Sequence, residues 1–297
     1  MERPVKRGVE SRSMSRPSID VAYETIQSRQ NSRIKDLRKH FLRPGPANDG
    51  WIAIEGRKLL EEAARSGLRV HSIFVREDME AALHATVAAV SGPVSPFPAP
   101  LLFRVESDAF NHACATESPQ GIAALVEAPQ WSIEAMLEAD HPLLIVLAGL
   151  QDPGNVGTVF RTAEAFGASG VLLTPGTVNP WNQKVLRASA GSSFRLPVVQ
   201  LEDTSLLELL RQKGIPMYAC AAQDGTAVGE ANLRGRAALV IGNEGAGIGD
   251  EVLAHCSATI HVPCPGPVES LNAAVAASIL LYEASRQRVK ASTKSKP

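Results

Sequence analysis

The sequence predicts an α/β protein with two parts, a small N-terminal α/β domain and a larger C-terminal α/β domain built on a parallel sheet. From residue 143 onward, short apolar runs such as LLIVLA alternate with amphipathic stretches. These runs are apolar throughout, which is typical of strands covered on both faces of a parallel sheet. A second alternation of strand and helix patterns occupies residues 19–127 and predicts the smaller domain.

Composition indicates a soluble globular chain. Its 297 residues are 44% hydrophobic and 21% charged, which suffices to bury a core. The longest apolar runs are too short to cross a bilayer, and the N-terminus lacks the apolar segment of a secretory signal. The four cysteines have no paired spacing, which favours reduced thiols and a cytoplasmic location.

The positive charge is concentrated at the two ends of the chain. Lys and Arg outnumber Asp and Glu in residues 1–43 and 286–297, whereas acids dominate between them. Basic ends suggest contact with a polyanion. For residues 1–18 and 289–297, however, the polar and aperiodic composition predicts solvated, disordered basic tails.

The N-terminal region opens with a predicted basic helix over 23–43. Its charged residues, Arg33 and Lys35 among them, form either a nucleic-acid face or a solvated helix surface. The remaining elements are predicted strands at 51–54, 70–75 and 121–127, a helix at 58–64, a proline-rich loop at 91–100, and a linker with a short helix at 128–142.

The C-terminal region, 143–288, supplies five predicted strands and three main helices. The strands are 143–148, 171–174, 217–222, 237–242 and 260–262, and the helices are 156–167, 205–214 and an alanine-rich helix from about 270. Ser270 is predicted to cap this last helix, because its hydroxyl can accept from free backbone N–H groups of the first turn. The proline-rich loop before Ser270 indicates backbone that fits closely against a ligand or a second subunit.

Three loops at predicted strand ends carry the polar residues expected of a ligand site. They span 151–157, 242–249 and 263–272. The loops contain no G-x-G-x-x-G dinucleotide fingerprint, and Ile248 replaces the lysine of a phosphate-binding loop. His255, Cys256, His261 and Cys264 lack the paired spacing of zinc ligands, so no metal site is predicted.

The same loops carry a family resemblance. DPGNVGTVFRTAEAFG, LVIGNEGAGI and IHVPCPGPVESLNAAVAASILLYEASRQR resemble the three signature motifs of the SpoU/TrmH class of RNA ribose 2'-O-methyltransferases. RASAGSSFRLPV is similar to that family's connecting segment, so the resemblance covers 143–288. Residues 24–75 resemble the family's N-terminal substrate-binding domain, which is similar to a ribosomal-protein fold.

The resemblance implies a parallel-sheet domain whose C-terminal segment threads a loop as a trefoil knot. It also implies S-adenosylmethionine as cofactor, bound by Gly242, Val262 and Leu271, and a homodimer with the last helix at the interface. These properties do not follow from periodicity, since sequence rules alone would never propose a knot.

The family's catalytic positions map onto Asn155, Arg161, Glu244, Ser270 and Asn272. Each has a structural alternative: a helix cap for the asparagines and the serine, an ion pair with Glu164 for Arg161, and a solvated loop for Glu244. Because a guanidinium stays protonated in proteins, electrostatic stabilisation suits Arg161 better than the role of general base.

The resemblance also implies RNA as the partner. The residues predicted to contact it are Arg33, Lys35, Arg57, Lys58, Lys184 and Arg187. A solvated helix face is the alternative for Lys184 and Arg187, which lie three positions apart.

The predicted function is S-adenosylmethionine-dependent methylation of a ribose 2'-hydroxyl in RNA. The N-terminal domain favours ribosomal RNA as the substrate, with transfer RNA as the alternative. A non-catalytic RNA-binding or ribosome-assembly protein on the same fold is a second alternative. A nucleotide-dependent oxidoreductase is a third, weakened by the absent fingerprint.

Overall fold

The structure, a computed structural model, describes residues 23–43, 45–46, 48–79, 97–114, 116–202 and 205–294, with backbone alone at 206 and 290–294. The predicted tail at 1–18 therefore lies outside the described residues, as does 91–96 of the proline-rich loop. Two separate β-sheets organise the described chain.

The N-terminal sheet has five strands in the order β1-β4-β3-β5-β2. β5 runs antiparallel to both of its neighbours, and β2 lies at an edge. The elements are β1 (Glu24–Ile26), α1 (Ser32–Leu42), β2 (Trp51–Glu55), α2 (Arg57–Arg65), β3 (Val70–Arg76), β4 (Leu101–Val105), α3 (Ser107–Ala113) and β5 (Ile122–Glu127).

The predicted basic helix over 23–43 is wrong before Ser32, where Glu24–Ile26 form β1 instead. Ile26 pairs with Val105 of β4 in a parallel ladder, so a distant segment determines this strand. The helix begins only after Asn31, whose Oδ1 accepts from the backbone N–H of Arg33 at 2.8 Å. Ile34, on the opposite side from the solvent, is fully buried.

The second sheet has seven strands in the order β10-β12-β9-β11-β6-β7-β8, and all of its pairings are parallel. This confirms the predicted parallel sheet. After α4 (Ile133–Leu137), its elements are β6 (Leu143–Ala148), α5 (Pro153–Ala165), β7 (Gly170–Leu173), α6 (Gln183–Ser189), β8 (Val198–Gln200), α7 (Ser205–Gln212), β9 (Met217–Ala221), β10 (Thr226–Ala227), β11 (Ala237–Gly242), α8 (Asp250–Leu253), β12 (Ala258–His261) and α9 (Ala273–Lys294).

Apolar clusters cover both faces of this sheet, as the continuous apolar runs predict. One cluster contains Leu143, Ile145 and Leu147 of β6 with helices α5 and α9. The opposite cluster contains Leu144 and Val146 with α4 and α7. The knot implied by the family resemblance stays a prediction.

The last helix differs from the prediction at both ends. It begins at Ala273 rather than directly after Ser270, and it continues to Lys294, so the predicted tail is wrong over 289–294. Polar contacts anchor the helix just before this extension, since the Arg288 guanidinium donates to the carbonyls of Leu233 at 3.0 Å and His141 at 2.8 Å. Residues 295–297 lie outside the described chain.

The two sheets are joined by a shared apolar cluster. Trp181, Leu186 and Phe194 come from the segment around α6, yet they pack with Ile54 and Leu59 of the N-terminal part. The side-chain amide of Gln183 also donates to the carbonyl of Ala53 in the edge strand β2 at 2.7 Å. The segment that carries Lys184 and Arg187 is therefore docked onto the N-terminal sheet.

Arg195 forms a polar bridge across the same junction. Its guanidinium lies 2.8 Å from Glu62 of α2 and 2.5 Å from Glu164 of α5. The hydrogen bond from Arg195 holds the pKa of Glu164 below its ordinary value. The junction thus combines apolar burial with an ion pair that requires an ionised carboxylate.

We expect Arg195→Ala to lower the free energy of unfolding by about 1 kcal/mol at pH 7, since the pairs are partly exposed. Because the pKa of Glu164 is lowered in the fold, its contribution is present above its ordinary value of about 4.5 and disappears as the pH falls through the lowered value. Denaturant unfolding at pH 7 and pH 3 measures this. Arg211→Ala, which breaks only an exposed pair within α7, is the control and should cost less. An equal loss in the two variants would contradict a bridging role.

Candidate active site

A cavity of about 640 Å³ opens where β9, β11 and β12 end. Its wall includes the three predicted cofactor residues, Gly242, Val262 and Leu271. Three of the predicted catalytic residues, Glu244, Ser270 and Asn272, also line it. The structure thus gathers two of the three predicted loops at the carboxyl edge of the sheet, which is where parallel sheets bind ligands.

Asn243 shapes the loop after β11. Its backbone N–H and carbonyl each bond to Gly247 at 2.9 Å, and its Oδ1 accepts from the N–H groups of Gly245 and Ala246 at 2.9 and 3.0 Å. Its Nδ2 donates to the carbonyl of Gly149 at 2.9 Å, which ties this loop to the loop after β6. Asn243 is not among the residues predicted from the sequence, although an asparagine followed by a glycine-rich segment is a known turn signal.

Asn272, rather than Ser270, caps the last helix. Its Oδ1 accepts from the N–H groups of Ala274 at 2.9 Å and Val275 at 3.2 Å. Ser270 is exposed and lies two residues too early to reach these groups as the N-cap. Since the cap holds the Asn272 oxygen against the helix, its Nδ2 is directed away from the helix and donates to Asn155 Oδ1 at 3.1 Å.

Asn155 connects two of the three loops to the last helix. Besides accepting from Asn272, it donates through Nδ2 to Glu244 Oε1. The cap of α5 is Asp152, whose Oδ1 accepts from the Asn155 backbone N–H at 2.7 Å, so the capping alternative for Asn155 is wrong. Its side chain is therefore available to the polar chain Asn272–Asn155–Glu244 at the cavity mouth.

Arg161 is not brought to the cavity. It is exposed on α5, and no hydrogen bond or ion pair joins its side chain to another residue of the described chain. The predicted alternative, an ion pair with Glu164, is wrong, because Arg195 occupies that carboxylate. One turn before Arg161, Thr158 lines a separate hollow between α5 and α9.

That hollow is a shallow apolar groove of about 310 Å³. Phe166, Val275, Ile279 and Tyr282 line it, and the two most exposed of these, Val275 and Tyr282, are 48% and 55% accessible. Phe166 and Tyr282 meet edge to face, with ring centroids 5.8 Å apart. Large apolar side chains exposed together on helices indicate an interaction surface.

All six predicted RNA-contacting residues are exposed. They are Arg33 and Lys35 on α1, Arg57 and Lys58 on α2, and Lys184 and Arg187 on α6. Two of them have partners: Arg57 donates to Glu61 at 2.7 Å, and the Arg33 guanidinium lies 5.8 Å from the Phe103 ring centroid. The helix on which Lys184 and Arg187 were expected to share a face is present.

The cysteine and histidine side chains show no sign of a metal site or a reactive thiol in the described chain. Burial raises the pKa of the Cys220 thiol, in the cavity wall, to about 11. Within the described ranges, no group of three or more His, Cys, Asp or Glu side chains is arranged to hold a metal ion. None of the described helices is both long and apolar enough for a membrane span.

Comparison with known proteins identifies the family. Residues 142–282 match the SpoU rRNA Methylase family, and residues 31–124 match the MRM3-like substrate binding domain. The 23S rRNA (guanosine(2553)-2'-O)-methyltransferase RlmP of Bacillus subtilis (strain 168) is 35% identical over 263 residues, which span 86% of this chain and 97% of RlmP. The chain belongs to the SpoU rRNA methylase family. This confirms the resemblance that the three motifs carry.

Solved structures of SpoU relatives share the whole architecture. A crystal structure of an RNA 2'-O ribose methyltransferase is 30% identical, with a TM-score of 0.73, and the match covers 89% of this chain and 99% of that one. The SpoU methyltransferase AviRb from Streptomyces viridochromogenes, in complex with the cofactor AdoMet, is 25% identical with a TM-score of 0.73, covering 88% and 99%. Both sheets of this chain therefore belong to the fold of SpoU enzymes.

Proposed function

We propose that this chain transfers a methyl group from S-adenosylmethionine to a ribose 2'-hydroxyl of RNA, with ribosomal RNA as the substrate. The side-chain network Asn272–Asn155–Glu244 at the mouth of the cavity carries this proposal. Family membership supports the chemistry, and the name of RlmP supports ribosomal RNA.

The cavity residues fit the cofactor. Its volume lies in the range of about 300–1,000 Å³ that is usual for small-molecule sites. Apolar side chains such as Ile241 and Leu271 would hold the adenine, while Asp224 and Glu244 supply carboxylates that suit a cationic ligand. When bound, S-adenosylmethionine supplies an electrophilic methyl group on a sulfonium. The predicted contacts of Gly242, Val262 and Leu271 remain part of the proposal.

The polar network would orient the RNA hydroxyl for transfer. Glu244 is exposed, so its carboxylate can accept the hydroxyl proton or hold it in a hydrogen bond. Asn155 donates to that carboxylate and determines its direction, and the helix cap in turn holds Asn272 against Asn155. Positioning of this kind supplies a large part of the rate in a transfer between two bound molecules. Ser270, at the same rim, would contact the substrate.

Arg161 would stabilise negative charge rather than accept or donate a proton. Its guanidinium stays protonated and is exposed beside the groove between α5 and α9. We propose that it stabilises the forming alkoxide or holds a phosphate of the RNA. Because Arg161 does not line the cavity of its own chain, it would complete the site only in the assembled enzyme.

The exposed basic residues on α1, α2 and α6 would position the RNA. Lys184 and Arg187 have no charged partner within the described chain, so both cations are available to phosphates. Because the N-terminal sheet shares a core with Trp181 and Phe194, removal of residues 1–127 would expose apolar surface. Charge substitutions therefore test substrate reading better than truncation does.

We also propose a homodimer, formed through the groove between α5 and α9, and a cytoplasmic location in keeping with a ribosomal RNA substrate. We expect Tyr282→Glu to yield a monomer, since it would bury a carboxylate in an apolar interface. Light scattering at micromolar protein measures this. Val268→Glu, at an exposed apolar position outside the groove, is the control and should remain dimeric. A monomeric wild type would contradict the proposal.

Labelled S-adenosylmethionine tests the function directly. The purified protein is incubated with naked RNA and, separately, with ribosomal subunits from a strain that lacks the gene, and the RNA is separated by size and mapped for ribose methylation. Label in large ribosomal RNA is the expected result. Label confined to transfer RNA would contradict the substrate class, and absence of label in naked RNA and ribosomal subunits alike would contradict the enzymatic function.

A further inference from the structure

An aromatic and cationic cluster lies where β2 and β3 of the N-terminal sheet begin. Trp51 opens β2 and is partly exposed. The His71 ring lies against it, with centroids 4.9 Å apart and planes inclined by 49°. The exposed guanidinium of Arg69 lies over the indole, 5.4 Å from its centroid. Neither Trp51 nor Arg69 belongs to the residues predicted from the sequence to contact RNA.

The backbone that carries the indole is held in place by its surroundings. The backbone N–H of Trp51 donates to Asp49 Oδ1 at 3.1 Å, and Asp49 is held in turn by Nε2 of the buried His40 at 3.2 Å. Trp51 pairs with Glu127 of β5, whose N–H donates to the carbonyl of Arg69 at 2.9 Å. The tryptophan and the arginine therefore flank the same end of β5, which presents the ring as a preformed platform.

The charges around the platform suit a base better than a run of phosphates. Burial, followed by the positive charges of Arg33 and Arg69, lowers the pKa of His71, so its ring is neutral near pH 7. The carboxylates of Asp36 and Asp49 also act on His71, which offsets the two guanidinium groups. A site of nearly balanced charge attracts the phosphate backbone of an RNA only weakly. Stacking of a base on an aromatic ring does not depend on the net charge of the site.

From this arrangement we propose that Trp51 is a stacking platform for one unpaired base of the RNA substrate. The base would lie on the indole face, with the Arg69 guanidinium moving above the base or onto its phosphate. Aromatic and guanidinium planes are what single-stranded RNA commonly stacks on. This inference rests on the proposed function, and it assigns to the N-terminal sheet a reading of unpaired rather than duplex RNA.

The platform lies on the edge strand β2, against which α6 with two of the other proposed RNA contacts is docked. Gln183 bonds to the carbonyl of Ala53, two residues from Trp51 in β2, and Lys184 follows Gln183 in α6. Two residues of a strand span about 7 Å, so the α6 cations and the indole belong to the same edge of the sheet. A strand of RNA held at Lys184 and Arg187 would have a nearby base to place on Trp51.

Binding of short RNAs by the full chain tests the platform. A fluorescein-labelled single-stranded 12-mer and its 12-base-pair duplex are titrated at several salt concentrations. We expect Trp51→Leu to weaken binding of the single strand on the order of tenfold at every salt concentration, and Trp51→Phe to bind like the wild type. Binding of the duplex should be unaffected, because its bases are already stacked.

Lys184→Ala is the matched comparison, because a lost phosphate contact changes the salt dependence. It should lower the slope of log affinity against log salt by about 1, whereas Trp51→Leu should leave that slope unchanged. Tryptophan emission gives a second readout that does not require the leucine variant to fold. Stacking of a base on Trp51 should quench the tryptophan emission of the wild type. Trp51→Phe, which retains Trp131 and Trp181, should bind RNA without this loss of emission.

Three outcomes would overturn the platform. They are wild-type affinity of Trp51→Leu for the single strand, an equal loss of strand and duplex binding, and an RNA-induced quench that persists in Trp51→Phe. The binding assays need no turnover. A wild type that binds the strand through Trp51 but transfers no methyl group would therefore contradict the proposed function and leave the platform supported.

Discussion

Asn155→Ala should reduce methyl transfer about a hundredfold or more while leaving the protein folded. The variant removes the donor to Glu244 and the acceptor for Asn272 in one step. Loss of one preorganised group at a reaction centre typically costs about 100- to 1,000-fold in kcat. The helix should survive, since its cap is Asp152 and the capping bond uses only the Asn155 backbone.

Single-turnover transfer from labelled S-adenosylmethionine, together with thermal unfolding, measures this prediction. Asn111→Ala is the control, because Asn111 is an exposed asparagine on α3 of the N-terminal sheet. Asn155→Asp adds a stringent comparison, since it keeps the size but places a carboxylate against Glu244. We expect it to be as inactive as the alanine variant. Near-normal transfer by Asn155→Ala would show that the network is only structural.

The parallel sheet was predictable because its strands are buried on both faces and read as continuous apolar runs. β6 and β11 match the predicted ranges at both ends, 143–148 and 237–242. β1 was not predictable, because three residues with one buried side chain acquire their conformation from β4, far along the chain. The burial of Trp181 and Phe194 against α2 is likewise a tertiary event that local periodicity does not encode.

The sequence predicts which loops form the site, but it does not predict the hydrogen bonds that their side chains make. The motif residues Gly242, Glu244 and Asn272 meet at one cavity, as the resemblance implies. Which neighbouring polar residue caps a helix depends on where the helix begins, and this separates Asn272 from Ser270 and Asp152 from Asn155. The residue type identifies possible capping residues in a sequence, but only the geometry selects among candidates two or three positions apart.

The pairing of Arg161 illustrates the same limit for charges. Helical spacing made Glu164 its natural partner, since side chains three apart share a helix face. Arg195 instead reaches Glu164 from the segment after α6, and the same guanidinium joins Glu62. The tertiary ion pairs of Arg195 with Glu62 and Glu164 thus replace the local pair of Arg161 with Glu164. The Arg161 guanidinium therefore remains available for the proposed contact with RNA.

Gly242→Ala should lower the affinity for S-adenosylmethionine at least tenfold, the second large effect that we expect. A Cβ at this position would lie 2.5 Å from the carbonyl carbon of Gly247 and 2.6 Å from its oxygen. A Cβ cannot lie this close to the two Gly247 atoms, and both of those atoms belong to the backbone. β11 cannot retreat, because it is paired on both sides with β6 and β9. The loop must therefore move, which breaks the bonds between Asn243 and Gly247 that shape the cavity wall.

Calorimetric titration with S-adenosylmethionine measures the loss, and thermal unfolding should show a cost of about 1–3 kcal/mol from overpacking. Gly249→Ala is a control within the same loop. A Cβ there meets no atom within 4 Å, and the residue has a negative φ of −64°. Its affinity should match the wild type, because the loop need not move to accept this Cβ. If both variants bound the cofactor normally, the loop after β11 would not be part of its site, and the cofactor would have to be held by the chain around Val262 and Leu271 alone.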